Sequence, residues 1–129
     1  MTTAYWCVLV GALMPFVWTA IAKFGGASKM SVAQNAAPRE YLASLAEGHQ
    51  KRANWAQMNS FEAFPMFAAA VIISTLAGND QVTIDRLAML WVAGRVAYGI
   101  CYLADWSLMR SLMWSVGIGS VVALFVTAS

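Results

Sequence analysis

Four long apolar stretches dominate the pattern of hydrophobic and polar positions along the chain. They cover residues 4–22, 55–77, 87–103 and 108–128. An α-helix rises about 1.5 Å per residue, so about 20 apolar residues are needed to cross a membrane, and each stretch approaches that length. The runs are continuous and rich in Ala, Leu and Met, whereas strands of a membrane β-barrel alternate apolar and polar positions. The pattern therefore predicts an all-α fold, a transmembrane four-helix bundle.

The predicted helices cover approximately residues 4–24, 50–77, 83–104 and 107–128, and 1–129 is predicted to form a single membrane domain. In the long first connection, Pro38 suits the first turn of a short interfacial helix with Leu42 and Leu45 on its apolar edge. Gly48 is predicted to end or bend that helix. The other two connections are short, so the second, third and fourth membrane helices should be antiparallel neighbours.

Composition agrees with a membrane location. Of the 129 residues, 60% are hydrophobic and 11% are charged, and the mean hydropathy is +0.62, which is too apolar for a soluble domain. The first stretch has no basic residue before it and is longer than the apolar part of a signal peptide, so we expect a retained helix. The net charge of +2 is small and localised, which argues against a nucleic-acid partner.

The distribution of basic residues predicts the orientation in the membrane. Arg110 follows the third loop, whereas the second loop has only the later Arg86. The positive-inside rule then places the first and third loops in the cytoplasm and both termini on the opposite side. The basic residues in or beside the first loop are Lys23, Lys29, Arg39, Lys51 and Arg52.

The cysteines and the histidine carry little predicted chemistry. Cys7 and Cys101 lie inside apolar stretches and are expected to be small buried hydrophobic residues. Neither has a second Cys or His at metal-ligand spacing, so no metal site is predicted. His49 lies where the first loop meets the second membrane helix, and we expect it to be solvated rather than a ligand or base.

Polar and aromatic side chains form stripes on the predicted membrane helices. On the second helix the stripe falls within an arc of about 80°, because its members are three or four residues apart. It consists of Arg52, Trp55, Asn59 and Glu62. The third helix repeats this spacing with Arg95, Tyr98, Tyr102 and Asp105, and the fourth carries Arg110 and Trp114 one turn apart.

Two interpretations of these stripes are open, and they are compatible. A charged side chain at the membrane centre costs roughly 2.5–3.5 kcal/mol, so Glu62 and Arg95 should face the protein interior. In the first interpretation Glu62 and Arg95 pair with each other while Asn59 bonds a neighbouring helix, which joins the helices. In the second, the stripes line a polar cavity near Arg52 and Arg110, suited to an anionic, peptide-like ligand.

The motifs on these helices resemble those of a known family. Arg52-Ala53 followed by Asn59-x-x-Glu62-x-x-Pro65-x-Phe67 is similar to the second helix of the MAPEG family, the membrane-associated proteins in eicosanoid and glutathione metabolism. Gly94-Arg95-Val96-Ala97-Tyr98 with Tyr102-Leu103 resembles the third helix of the prostaglandin E synthase type, and Arg110-Ser111 resembles the start of its fourth helix. The resemblance covers essentially the whole chain and indicates a bacterial-type member, expected in the inner membrane.

The resemblance implies a homotrimer that binds glutathione between neighbouring subunits near the cytoplasmic face. Arg110 matches an arginine that stabilises the glutathione thiolate, if one residue is deleted from the preceding loop. The matched residues expected to bind glutathione fall into three groups. Asn59 and Glu62 match groups that hold its peptide part, Arg95, Tyr98 and Tyr102 belong to the matched third helix, and Lys23 resembles a basic residue that reaches a carboxylate.

Two positions depart from the family pattern. Trp55 stands where many enzymatic members have an arginine that can meet a glutathione carboxylate, and Arg52, one turn earlier, is a candidate substitute. Trp114 replaces an aromatic hydroxyl expected one turn after Arg110, and its indole can donate a hydrogen bond but is not acidic.

Two functions from different classes follow. In the first, the protein is a glutathione-dependent transferase or peroxidase that acts on lipophilic electrophiles, with glutathione as co-substrate. In the second, it is a non-catalytic lipid-binding protein or a scaffold subunit of a larger membrane assembly, and the polar stripes hold a trimer together. Glutathione binding distinguishes the two.

Overall fold

The computed structural model describes residues 1–128, and within that range the chain is helical with no strand. This confirms the all-α prediction. The five α-helices are α1 Thr3–Phe24, α2 Pro38–Ser44, α3 His49–Leu76, α4 Gln81–Leu103 and α5 Ser107–Val126. A short 3₁₀ turn, Gln34–Ala36, precedes α2.

Three of the long helices, α1, α3 and α5, are long and apolar enough to cross a membrane. The length and apolar composition of these three helices identify the chain as a membrane protein. Helix α4 has 23 residues but does not reach the same apolar composition, because Asp85, Arg86 and Arg95 lie within it. The fourth membrane span thus stays a prediction.

The packing order shelters the polar helix. Helices α3 and α4 pack against each other, and each also packs against both α1 and α5. Helix α4 therefore has three long helical neighbours, and its buried residues include Arg95 as well as Trp91 and Tyr98. Because α4 has protein on several sides, its polar side chains contact less lipid than they would on an isolated helix.

Helices α1 and α4 approach each other closely through two tryptophan–glycine contacts. A Cβ atom added to Gly99 of α4 would lie 2.1 Å from the Trp18 ring of α1. In the reverse sense, a Cβ atom added to Gly11 of α1 would lie 2.9 Å from the Trp91 ring of α4. The Trp91 ring also stacks on Phe67 of α3, with ring centroids 3.8 Å apart. Only glycine fits at these two points without displacing an indole ring.

A hydrogen bond joins the same two helices near their N-terminal ends. The Asp85 carboxylate of α4 accepts a hydrogen bond of 2.8 Å from the backbone N–H of Ala4. That N–H belongs to the first turn of α1, where backbone donors have no partner inside the helix. Asp85 also accepts a hydrogen bond from Gln81 at 2.8 Å.

The loop between α1 and α3 is held down by side chains at the start of α3. Gln50 donates to the carbonyl of Ala22 at 3.1 Å and accepts from the backbone N–H of Ser28 at 3.3 Å. The exposed His49 lies with Nε2 at 2.7 Å from the Gly25 carbonyl, so it ties down the loop as well as contacting solvent. As predicted, α2 begins with Pro38 in its first turn.

The remaining predictions about helix ends and cysteines also have structural outcomes. Leu42 and Leu45 are both buried, and Gly48, with φ 151°, directly precedes α3. Cys7 and Cys101 are free thiols and are buried, as expected for small hydrophobic residues. At the second connection, Asp80 caps α4, and its hydrogen bonds from the backbone and side chain of Thr83 lower the pKa of the Asp80 carboxyl.

Candidate functional site

The centre of the site is a buried arginine that α4 directs towards α3. Arg95 has only 2% of its surface exposed, and its Nη2 donates a hydrogen bond of 2.7 Å to Oδ1 of Asn59. Asn59 in turn donates from Nδ2 to Glu62 Oε2 at 3.4 Å, a contact between residues one turn apart on α3. The Arg95 guanidinium, the Asn59 amide and the Glu62 carboxylate therefore form a continuous polar series.

The first interpretation of the stripes needs one correction. Glu62 and Arg95 do not form a direct ion pair in the described part of the chain, because Asn59 lies between them and bonds both. The predicted bond from Asn59 to a neighbouring helix is present, and its partner is Arg95 itself. Glu62 is exposed in the single chain and keeps most of its hydrogen-bonding capacity.

Arg95 has donor capacity that nothing in the described residues uses. Its Nε atom is buried without a hydrogen-bond partner there. A buried N–H left unpaired costs about 1–3 kcal/mol, more for a charged group. The guanidinium also lies over the Tyr98 ring, with Cζ 4.3 Å from the ring centroid.

A row of aromatic rings runs from Arg95 to the start of α5. Tyr98 and Tyr102 contact edge to face, with centroids 5.6 Å apart, and Arg110 lies over Tyr102 with Cζ 4.5 Å from its centroid. From α3, Trp55 meets Tyr102 at 6.3 Å between centroids. We call Trp55, Tyr98 and Tyr102 the aromatic row. It brings Arg95 and Arg110, which are on different helices, to one surface.

Arg52 has a different partner from the one expected of a ligand-binding residue. Its Nε and Nη2 atoms donate to the carbonyl oxygen of Leu103 at 3.2 and 3.0 Å. Leu103 is the last residue of α4, where carbonyl groups have no partner inside the helix. Arg52 thus joins α3 to the end of α4 with two of its five N–H donors.

Two hollows adjoin this polar series. The inner hollow, of about 220 Å³, lies between α3, α4 and α5, and the outer hollow, of about 410 Å³, lies between α3 and α4. Asn59 and Glu62 line both, so the two hollows meet at these residues. The inner hollow is also lined by Ala63, Met66, Trp91, Arg95, Trp114, Gly117, Ile118 and Val121. The outer hollow is completed by Trp55, Met58, Tyr98 and Tyr102.

The structure brings most of the predicted site residues together. Those in the continuous contact series are Asn59, Glu62, Arg95, Tyr98, Tyr102 and Arg110. Arg52 is nearby but is bonded to Leu103. Lys23 is half-buried in the last turn of α1, and its ammonium makes no hydrogen bond or ion pair to the residues named above.

Two residues at the site were missed by the sequence reasoning. Lys51 lies with Nζ 5.6 Å from the centroid of the Trp55 ring, a contact that the four-residue spacing on α3 could have indicated. Trp91 lines the inner hollow next to Arg95, but in the sequence it is one of many apolar residues. Only its packing shows it.

The chemistry of the site favours an anionic ligand. Lys51, Arg95 and Arg110 supply positive charge around the aromatic row, and Glu62 supplies one carboxylate. Arginine pairs strongly with carboxylates and thiolates, and Glu62 can accept from an ammonium or amide. No group of three or more His, Cys, Asp or Glu side chains suited to a metal occurs within residues 1–128.

Comparison with protein families finds a match to the MAPEG family over residues 3–129, which is essentially the whole chain. No curated protein and no solved structure matches it.

Proposed function

Because this chain belongs to the MAPEG family, we propose that it is a membrane protein of glutathione or eicosanoid metabolism that uses glutathione to attack lipophilic electrophiles or reduce lipophilic peroxides. The observation that carries this proposal is the series from Glu62 through Asn59, Arg95 and the aromatic row to Arg110. It places several cations, one carboxylate and one amide around two connected hollows.

The donor set suits glutathione group by group. Glutathione carries two carboxylates, one ammonium, two peptide groups and a thiol, so it needs cations, one anion and amide partners. Glu62 would hold the ammonium, Asn59 a peptide group, and Arg95, through its unpartnered Nε, an oxygen of the ligand. The same N–H would otherwise stay buried and unpaired, which supports a ligand in this position.

Arg110 is the residue that we assign to the sulfur. A free thiol with a pKa of about 8.5 is only a few per cent thiolate at pH 7, and lowering that pKa by two units takes about 2.7 kcal/mol of preferential anion stabilisation. One guanidinium in a partly desolvated site can supply this. Tyr102 positions Arg110 by stacking against it. When bound, glutathione supplies a sulfur nucleophile, which forms its new bond as a leaving group departs from carbon or as a peroxide O–O bond breaks.

The two hollows would bind different ligands. The outer hollow has the aromatic row and lies beside Arg110, so it would take the thiol peptide. The inner hollow has Met66, Trp114 and Ile118 in its walls, and these apolar side chains would take the lipophilic partner. Arg95 also lines the inner hollow but bonds Asn59 where the two hollows meet, so it would contact the thiol peptide at that junction. Asn59 and Glu62, common to both, mark where the two ligands would meet.

The exposed carboxylate of Glu62 supports assembly into a homotrimer. In the single chain Glu62 is exposed near the middle of α3, among exposed Met58, Phe61 and Met66. A carboxylate facing lipid at that depth is costly, and a neighbouring subunit would cover it. Lys23 would then join the site from that neighbour. We place loops one and three, and with them the outer hollow, at the cytoplasmic face of a bacterial inner membrane.

A scaffold without catalysis is the second candidate, and two contacts favour it. The bonds of Arg95 to Asn59 and of Arg52 to Leu103 join α3 to α4 directly. Such bonds between membrane helices contribute on the order of 1 kcal/mol each. In this case the polar residues would serve assembly alone, and the protein would bind lipids or other membrane subunits.

Glutathione titration tests the choice. Purified protein in detergent should bind glutathione and develop the ultraviolet absorbance of a thiolate. Arg110→Ala should abolish that absorbance and lower the rate with a lipophilic electrophile by about 10²-fold. Arg86→Ala, an exposed arginine at the opposite end of α4, is the matched control and should change neither. Absence of glutathione binding at millimolar concentration would refute the proposal and leave the scaffold.

A further inference from the structure

Two neighbouring basic residues, Lys51 and Arg52, precede the outer hollow on α3, and they have different surroundings. Arg52 is half-buried and donates twice to the Leu103 carbonyl. Turning Arg52 towards a ligand would leave that helix-end carbonyl without its partner. Of these two residues, Lys51 is therefore the cation available to the outer hollow.

Lys51 is held against one wall of the outer hollow. Its Nζ lies 5.6 Å from the centroid of the Trp55 ring, and Trp55 lines the hollow together with Tyr102. Residues four apart on a helix lie on the same face, so the lysine follows the stripe that contains Trp55, Asn59 and Glu62. The indole face attracts the ammonium and fixes its direction.

The present ionic partner of Lys51 is weak. Glu47 Oε1 lies 4.0 Å from Nζ, and the Glu47 side chain is 80% exposed, against 26% for Lys51. Exposed pairs of this kind contribute little, because water solvates both charges well. A carboxylate placed in the hollow, beside the half-buried lysine, would bind the ammonium more strongly than Glu47 does.

We propose that Lys51 binds a carboxylate of the ligand in the outer hollow and makes the site selective for thiol peptides that carry it. This inference rests on the proposed function, since glutathione is the ligand considered. The carboxylate exchanges with Glu47 and accepts hydrogen bonds from the ammonium, while Trp55 keeps the ammonium at the hollow. Lys51 thereby determines ligand affinity and takes no part in the bond-making step.

Binding measurements with modified ligands test the inference. The probes are glutathione, its ethyl ester at the glycyl carboxylate, and 4-aminobutyryl-cysteinylglycine, which lacks the glutamyl carboxylate. The wild type should prefer glutathione over one of the two altered ligands by about tenfold. Lys51→Met, which keeps an apolar stem against Trp55, should bind glutathione about tenfold more weakly and lose that preference.

Two variants serve as controls. Lys51→Arg should keep the preference because it keeps the charge. Glu47→Gln should bind glutathione at least as tightly as the wild type because it removes the competing carboxylate. If the wild type binds glutathione but Lys51→Met binds it equally well, or retains the preference, the inference is refuted and the proposed function stands. If the wild type does not bind glutathione, both are refuted.

Discussion

At the scale of single residues, Arg95 most strongly requires a hydrogen-bond partner, because its charge is buried beside α3, a helix long and apolar enough to cross a membrane. A buried charge needs a hydrogen-bonded partner, and the removal of that partner is commonly more destabilising than the loss of the whole pair. Asn59 is that partner, at 2.7 Å from Nη2. The stability of the contact between α3 and α4 should therefore depend on a neutral amide.

Asn59→Ala should lower the free energy of unfolding by about 2–4 kcal/mol, because the buried guanidinium would lose its hydrogen-bond acceptor. Denaturant or thermal unfolding of the protein in detergent measures this. Asn54→Ala is the matched control on the same helix, since Asn54 is half-buried and lies away from Arg95, and it should change the stability by no more than about 0.5 kcal/mol. Equal stabilities of the two variants would contradict the role given to Asn59.

The residue scale also shows how far the sequence could predict the site. The three- and four-residue spacing correctly predicted that Asn59 and Glu62 share one face of α3, since helical periodicity fixes which face a side chain occupies. The cost of a charge in lipid correctly predicted that Arg95 of α4 points into the protein. It could not assign partners. The direct Glu62–Arg95 pair was wrong because side-chain reach decides between an acid and an amide one turn apart. Lys51 and Arg52 could not be ranked, because the Leu103 carbonyl beside Arg52 is brought there by tertiary packing.

At the scale of the helices, α1 and α4 are matched by complementary shapes. Each helix presents one tryptophan to a glycine of the other, Trp18 to Gly99 and Trp91 to Gly11. Small residues let membrane helices approach closely, and the large rings then fill the space on either side. Asp85 adds the bond to the first turn of α1, so the pair is in contact at its beginning, middle and end.

Gly99→Ala should destabilise the protein by about 1–3 kcal/mol, because the new methyl group would overlap the Trp18 ring and force the helices apart. The control is Gly119→Ala on α5, where an added Cβ meets no atom within 4 Å. That change should be neutral or should stabilise the helix by up to about 1 kcal/mol. Unfolding in detergent compares both variants with the wild type. Equal effects would mean that α1 and α4 are not in close contact at Gly99.

Helix identity was easier to predict than helix environment. Apolar length identifies α1, α3 and α5 from the sequence, and Pro38 and Gly48 mark the starts of α2 and α3. The prediction that Gly48 ends α2 was wrong, because that helix already ends at Ser44. Helix α4 is different because its sequence carries Asp85, Arg86 and Arg95, and hydropathy cannot show that three neighbouring helices shield two of these charges. The contacts of Gly11 and Gly99 with tryptophan rings could not be predicted either, since a glycine within a helix does not indicate which side chain it faces.

At the scale of the whole molecule, the number of membrane crossings is the main property to establish. With four spans, the loops before α3 and before α5 lie on the same side, and the loop before α4 lies on the other. With only α1, α3 and α5 spanning, the loops on either side of α4 would share one side. The buried native cysteines leave engineered thiols as the main reactive groups.

Cysteine labelling with a membrane-impermeant maleimide on spheroplasts should distinguish these arrangements. Ala27→Cys, Ala77→Cys and Ala104→Cys each replace an exposed alanine in one of the three loops. We expect labelling of position 77 from outside and of positions 27 and 104 only after lysis, because the basic residues keep their loops in the cytoplasm. The unmodified chain is the control for background. Labelling of 77 and 104 from the same side would show that α4 does not span.

The contacts of α4 also bear on how the chain enters the membrane during synthesis. Ala4, the partner of Asp85, and Asn59, the partner of Arg95, both precede α4 in the sequence. During translation, Ala4 and Asn59 are therefore synthesised before Asp85 and Arg95. If α4 spans the membrane, it therefore leaves the insertion machinery beside helices that already carry both hydrogen-bond partners. A chain with α4 first would expose both charges to lipid.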